Sequence, residues 1–321
     1  MTSTTAVAGR AWRAGPLADD ELAFLRAVLY SSLFDYPLTL PQARETLIGS
    51  RDTEAGLLAM YYSSPALQTL IDYRDGLFFV RGADHLVEER RRREQARRAL
   101  LETNRGLLKL ICAVPFTALV ALSGSAAHLN ARPAGGDLDL FIVTRGRHVW
   151  SVTLTILLLA RLLRRRDEVR VNFVVADSAL PLDAGQQDLC CANGIVHLRP
   201  LIGGSVYCRF VDANPFVERY YPNFEANAVT LEGFAPSARA AAAKHALESL
   251  LGWGPSALAE RLCRVIYLRH LRRRAASRPS PADVRLTPDC LELHTCSHSA
   301  SVLARYEQTV QRTLGILNAD C

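Results

Sequence analysis

Residues 120–143 read VALSGSAAHLNARPAGGDLDLFIV. An apolar run ends in Gly124-Ser125. Asp137-Leu138-Asp139 begins thirteen residues after Gly124 and leads at once into the β-rich run Leu140-Phe141-Ile142-Val143. Side chains alternate across a strand, so Asp137 and Asp139 project to one face, and Leu138 and Leu140 to the other, towards a core. Two adjacent carboxylates repel unless a cation lies between them. Oxygen ligands of this kind suit Mg²⁺, and Mg²⁺ suits phosphates. A Gly-Ser bend between a strand and a helix suits phosphates too, because the first N–H groups of a helix have no partner within it.

Working outward, the pattern predicts a strand over 117–122, a helix over 125–130, a strand over 137–143, a helix over 147–165 and a strand over 169–176. Arg170-Val-Asn-Phe-Val-Val-Ala is β-rich in composition. Strands alternating with helices argue for an α/β sheet backed by helices. The 147–165 helix is apolar almost all round and is expected to lie deep against that sheet. Before this core, Leu22, Leu25, Leu29 and Leu33 repeat at helical steps. A second helix is expected from Thr39-Leu-Pro41 to Ile48, and a third over 53–61. Leu67 to Tyr73 and Leu77 to Val80 then read as strands joined at Asp75-Gly76, a hairpin signal. Residues 83–110 read as one long helix whose arginines, Arg90 to Arg93 among them, form a solvated face. Beyond Pro181 the chain reads as mostly helical, with candidates over 237–252, 255–274 and 301–317.

The Gly-Ser turn followed by Asp-x-Asp on the next strand resembles the nucleotidyltransferase superfamily that includes DNA polymerase beta, antibiotic-modifying nucleotidyltransferases and small antitoxin-type enzymes. DLDLFIV (137–143), VNFVV (171–175), LRPL (198–201) and ANPFVERYYPNF (213–224) further resemble a group of bacterial nucleotidyltransferase-like proteins with an N-terminal winged helix. The resemblance implies an α/β fold with a minimal nucleotidyltransferase mixed sheet at 113–200. A winged-helix-like domain with a connecting helix would occupy 17–112, a helical region 201–321, and a disordered tail 1–16. It implies that Asp137 and Asp139 hold Mg²⁺ and that Gly124 and Ser125 cradle the β- and γ-phosphates of an NTP, with ATP the default. Arg132 and His128 are placed to touch phosphate, or are ordinary loop residues.

The family's third carboxylate sits on the neighbouring strand, where this chain has Asn172. An amide brings no charge and cannot act as a base, so a nucleophile-side metal should bind more weakly. Asp177 lies beyond that strand with opposite parity to Asn172. The expected function is Mg²⁺-dependent transfer of an NMP from an NTP to a hydroxyl of a small molecule or protein. The alternative is a weak or inactive nucleotide-binding module coupled to a winged helix that contacts DNA or a protein. The third helix carries no Arg or Lys, which argues against major-groove reading and disfavours nucleic acid.

The chain has 321 residues, a hydrophobic fraction of 49% and a net charge of +6, which fits anionic partners and excludes global disorder. Lys109 and Lys244 are its only lysines. Eight cysteines without a C-x-x-C pair, and a polar start without an apolar core, point to a reducing, cytoplasmic setting. The longest apolar run, 149–163, is too short to span a bilayer, and no membrane partner is expected. His294, Cys296 and His298 would share one face of a strand, with Cys290 just before them. Zn²⁺ accepts such ligands, but the spacing matches no familiar zinc module. Oligomeric state is left open by the sequence.

Overall fold

The computed structural model describes residues 17–127, 137–252, 256–275, 285–293 and 296–319. The tail 1–16, His128, Arg132 and His294 lie outside them.

Helix α1 (Asp19–Ser32) buries Leu22, Leu25 and Leu29, and places Asp19, Asp20 and Glu21 in its first turn, where the helix dipole favours negative charge. A short strand β1 (Leu38–Thr39) leads into α2 (Leu40–Glu45). The Thr39 side chain accepts from Gln42 N, and Gln42 Oε1 accepts from Thr39 N, a reciprocal cap. Helix α3 (Glu54–Ser63) is capped by Thr53, which accepts from Gly56 N at 3.0 Å.

The expected strand from Leu67 is in fact split. Residues Pro65–Leu70 form helix α4, started by Pro65 and capped by Ser64 Oγ accepting from Leu67 N. Only Ile71–Arg74 is strand, β2. It pairs antiparallel with β3 (Leu77–Val80) across the expected turn. Asp75 and Gly76 both have positive φ, 52° and 78°, as a tight hairpin of this twist requires. Strand β1 adds to the other edge of β3, giving the order β1-β3-β2.

The long Arg-rich helix is two helices, α5 (His85–Thr103) and α6 (Arg105–Cys112). They break at Asn104, whose amide donates to Leu100 O and to Glu168 Oε2. The arginine run is only partly a solvated face. Arg90 is buried beneath the Tyr36 ring and donates to Pro37 O, and buried Arg97 pairs with Glu232 at 2.5 Å.

The main sheet is mixed and six-stranded, in the order β7-β4-β5-β6-β9-β8. Its elements follow along the chain as β4 (Thr117–Ser123), α7 (Gly124–Ala127), β5 (Leu138–Thr144), α8 (Val149–Leu162), β6 (Val169–Ala176), α9 (Leu189–Val196) and β7 (Arg199–Ile202). After α10 (Gly204–Asp212), α11 (Phe216–Tyr220), α12 (Ala238–Gly252) and α13 (Ser256–Ala275) come β8 (Arg285–Leu286), β9 (Cys290–Glu292) and α14 (Cys296–Ala319). The C-terminal region is therefore not purely helical, because β9 and β8 complete one side of the sheet. Strands β5 and β6 run parallel and the other neighbours antiparallel.

Alternation sorts the strand residues to two cores. Val120, Leu122, Leu138, Leu140 and Ile142 join Ile111 of α6 and Trp150 and Ile156 of α8. Leu119, Ala121, Phe141, Val143 and Val175 join α9, Tyr207 and Phe210 of α10, and the N-terminal helices. Helix α14 ties the two ends of the chain together: Arg26 Nε donates to Tyr306 Oη at 3.1 Å, and the Tyr30 and Tyr306 rings meet at 5.2 Å. Helix α8 lies less deep than its composition suggests, since Leu158, Leu162 and Leu163 beside it are exposed. Among the described residues no helix is long and apolar enough to cross a membrane.

Candidate functional site

Ser123, the last residue of β4, lies opposite Asp139 in the antiparallel register. The chain then turns at Gly124, whose φ of +60° lies in the left-handed region that L side chains avoid. A Cβ on Gly124 would stand 2.6 Å from Asp139 Oδ2. Glycine thus serves twice here, once for the turn and once for the close approach of the Asp139 carboxylate. Asp137 stands just before β5, and the alternation holds: Leu138 and Leu140 are buried, while Asp137 and Asp139 are partly exposed.

Two residues of β6 meet the two carboxylates. Arg170 Nη2 lies 2.7 Å from Asp137 Oδ2, and Asn172 Nδ2 donates to Asp139 Oδ1 at 2.5 Å. The second contact lies at a β-bulge. Leu140 pairs with Val171 and Phe141 with Phe173, so Asn172 is the extra residue on β6. Val171 and Val174 pack in the core shared with Leu140. Phe173 stacks on Phe141 at 5.0 Å in the other core. Asn172 keeps the face of Arg170 and Asp139, and the bulge brings Phe173 to that face as well.

The expected parity of Asp177 rested on a regular strand, and the bulge removes that premise. Asp177 is separate from the carboxylate pair for a different reason. It sits at the far end of the strand, where its Oδ1 accepts from Gly146 N at 2.9 Å. Ser125 follows Gly124 in α7. Its side chain, like all of Arg132 and His128, is outside the described residues.

Sequence reasoning missed two participants. Arg170 was read only as part of a strand, although it stands two residues from Asn172 as Asp137 does from Asp139. Glu292 was not considered at all. It pairs with Phe173 across β6 and β9, so it shares that face of the sheet. It is buried, and Gln186 Nε2 donates to both carboxylate oxygens at 2.7 and 2.8 Å. Burial pushes its carboxyl above the usual carboxylate range, partly offset by the Gln186 bond and Arg285.

Asp137 and Asp139 offer carboxylate oxygens on one face beside the Gly124 bend, a donor set that fits one Mg²⁺ ion. Asn172 turns its amide nitrogen to Asp139, and an N–H group is not a ligand. The set therefore lacks the third carboxylate that a second ion would use. Among the described residues no group of three His, Cys, Asp or Glu side chains is gathered to hold a metal. His294 lies outside the described residues. From Cys296 the backbone is helical, and the side chains of Cys296 and His298 lie outside the described residues. Cys290 is on β9, where burial pushes its thiol up to about 11.

No family model matches the chain, and no curated protein or solved structure is found to be similar to it. The nucleotidyltransferase resemblance accordingly stays where the sequence put it, on Gly124, Ser125, Asp137 and Asp139.

Proposed function

We propose that the chain binds a magnesium complex of a nucleoside triphosphate, ATP by default, at Gly124, Ser125, Asp137 and Asp139. In this reading the sheet is a nucleotidyltransferase-type core, and the reaction is transfer of an NMP to a hydroxyl of a small molecule or protein. The acceptor oxygen bonds to the α-phosphorus, the α–β anhydride bond breaks, and pyrophosphate leaves. The observation that carries the proposal is the contact of the Gly124 bend with the Asp139 carboxylate, across a distance no larger side chain permits.

Magnesium, when bound, would offset the charge that develops on the transferred phosphoryl group. The chain's own residues set the geometry. Gly124 lets the bend lie against the Asp139 carboxylate. Asn172 fixes the rotamer of Asp139 through its amide hydrogen bond. Arg170, exposed and paired with Asp137, is a cation within reach of the same face. Helices α1 to α3 with the β2–β3 hairpin fit the winged-helix reading in their order. Leu57 and Tyr61 of α3 are buried, which favours packing over groove insertion.

One observation favours a second reading, a module that holds nucleotide without transferring it. Both carboxylates already have internal partners, and Asn172 cannot take a proton from an acceptor hydroxyl. Incubation with ATP and Mg²⁺ separates the readings. Pyrophosphate release that is lost in Asp139→Ala supports transfer. Saturable ATP binding without release supports the holding module. Absence of both binding and release in the folded protein overturns the two together.

A further inference from the structure

Helix α13 is built inside out. Leu258, Arg261, Leu262, Val265, Ile266 and Arg269 are all exposed, and their spacing places them along one outward stripe. Leu258 is 66% and Leu262 60% exposed. The inward side carries Tyr267, packed on Trp150 of α8, and buried Glu260, whose carboxylate accepts from the Trp150 and Ser151 backbone amides. Along α8, against which α13 packs, Leu158 and Leu162 are likewise exposed, followed by exposed Leu163. Leu162 reaches 68%. Exposed Arg161 and Arg164 stand among them. Isolated surface leucines need no explanation, but an aliphatic stripe along one helix does.

On α13 the outward charges have one sign, whereas just beyond α8 exposed Asp167 stands near Arg164. Glu260 is the only acidic residue of α13, and it faces inward. The same holds for α12, whose only acidic residue, Glu248, accepts from Phe116 N and pairs with Arg145. What remains outward on α13 is aliphatic carbon with arginine. A second copy of the chain would bring arginine towards arginine. Aliphatic side chains and arginines are interleaved along the α13 stripe. That geometry suits a fluid apolar layer with anionic headgroups, in which leucine enters the acyl boundary and arginine reaches phosphate.

We infer that the outward stripe of α13 forms a docking face for an anionic lipid surface. Docking is peripheral, consistent with the lack of any crossing helix among the described residues. It reverses the expectation of no membrane partner, which rested on the absence of a spanning run.

The test is sedimentation of the full chain with vesicles of phosphatidylcholine mixed with phosphatidylglycerol, against vesicles of phosphatidylcholine alone. Binding to the anionic vesicles only, weakening as salt rises, is expected. Leu258→Ser with Leu262→Ser should lower that binding about tenfold or more. Both positions are exposed, so folding is not at stake, and unchanged circular dichroism checks it. Anionic binding that survives the leucine changes would be general adsorption of a basic protein and overturns the docking face. So does the absence of binding to either vesicle. A dimer in solution that the same two substitutions dissolve would instead assign the stripe to self-association and also overturn the proposal.

Discussion

Gly124→Ala probes the junction between the bend and the carboxylate. A Cβ at φ +60° carries a left-handed strain of about 1–2 kcal/mol. It also stands 2.6 Å from Asp139 Oδ2, where ordinary contact begins at 3.4 Å. The carboxylate must retreat by most of an ångström, and its 2.5 Å bond from Asn172 is then lost or stretched. A hydrogen bond to a charged group contributes about 1.5–3 kcal/mol. The combined loss of stability is therefore about 2.5–5 kcal/mol, with less if Asp139 finds water. Gly76→Ala is the control: its φ is +78°, and nothing lies within 4 Å of the added carbon. It should show only the backbone strain, about 1–2 kcal/mol. Denaturant unfolding of both variants measures the difference, and titration with a fluorescent ATP analogue in Mg²⁺ measures the site. Gly124→Ala should lose at least about tenfold in analogue affinity, equivalent to 1.4 kcal/mol, whereas Gly76→Ala should lose none. Equal stability losses with unchanged analogue binding in both would refute the proposed role of the Gly124–Asp139 contact.

Asn172→Asp puts a third carboxylate against Asp139. The variant should unfold at lower temperature than the parent without Mg²⁺, gain more from added Mg²⁺, and release pyrophosphate faster; an identical Mg²⁺ response would separate Asn172 from the metal. Arg170→Gln removes a cation that competes at Asp137. Because Arg170 is exposed and its pair screened, Mn²⁺ affinity read by paramagnetic resonance should rise only about twofold to fivefold, and a fall would assign Arg170 a different role. Glu292 has a folded-state carboxyl raised by burial, so the folded chain binds its proton more tightly than the unfolded chain does. Its contribution is fully present below the unfolded value and is lost as pH rises through the folded one. Glu292→Gln should therefore flatten the decline in melting temperature over that window, and parallel curves would count against the raised carboxyl. Buried Cys112, pushed up to about 12, should resist alkylation by iodoacetamide at pH 8 until the chain unfolds.

Much of the sheet was legible because its strands are long and apolar. Residues 169–176 were read as the strand that forms, and β4 and β5 were placed within a residue of their ends. Strands β1, β8 and β9 have two or three residues, too few for any periodicity to show. Leu67 to Leu70 look β in composition, yet the Ser64-Pro65 start signal decides for helix. The break at Asn104 has neither glycine nor proline to announce it; the partner that holds it, Glu168, is distant in sequence. Arg90 and Arg97 looked solvated for the same reason, since Tyr36, Pro37 and Glu232 come from elsewhere in the chain. At the site, parity sufficed to put Asp137 and Asp139 on one face. Asn172 was placed by family analogy, and its two-residue spacing from Arg170 agrees; the bulge that turns Phe173 to the same face is encoded by no local pattern.

The most direct measurement is a crystal structure of the protein with Mn²⁺ and a non-hydrolysable ATP analogue, with anomalous scattering used to find the ion. The expected result is one peak between the Asp137 and Asp139 carboxylates, Arg170 withdrawn from Asp137, and the triphosphate lying against Gly124-Ser125. An ordered analogue bound elsewhere, or carboxylates still paired with Arg170 and Asn172 at saturating ion and nucleotide, would contradict the account.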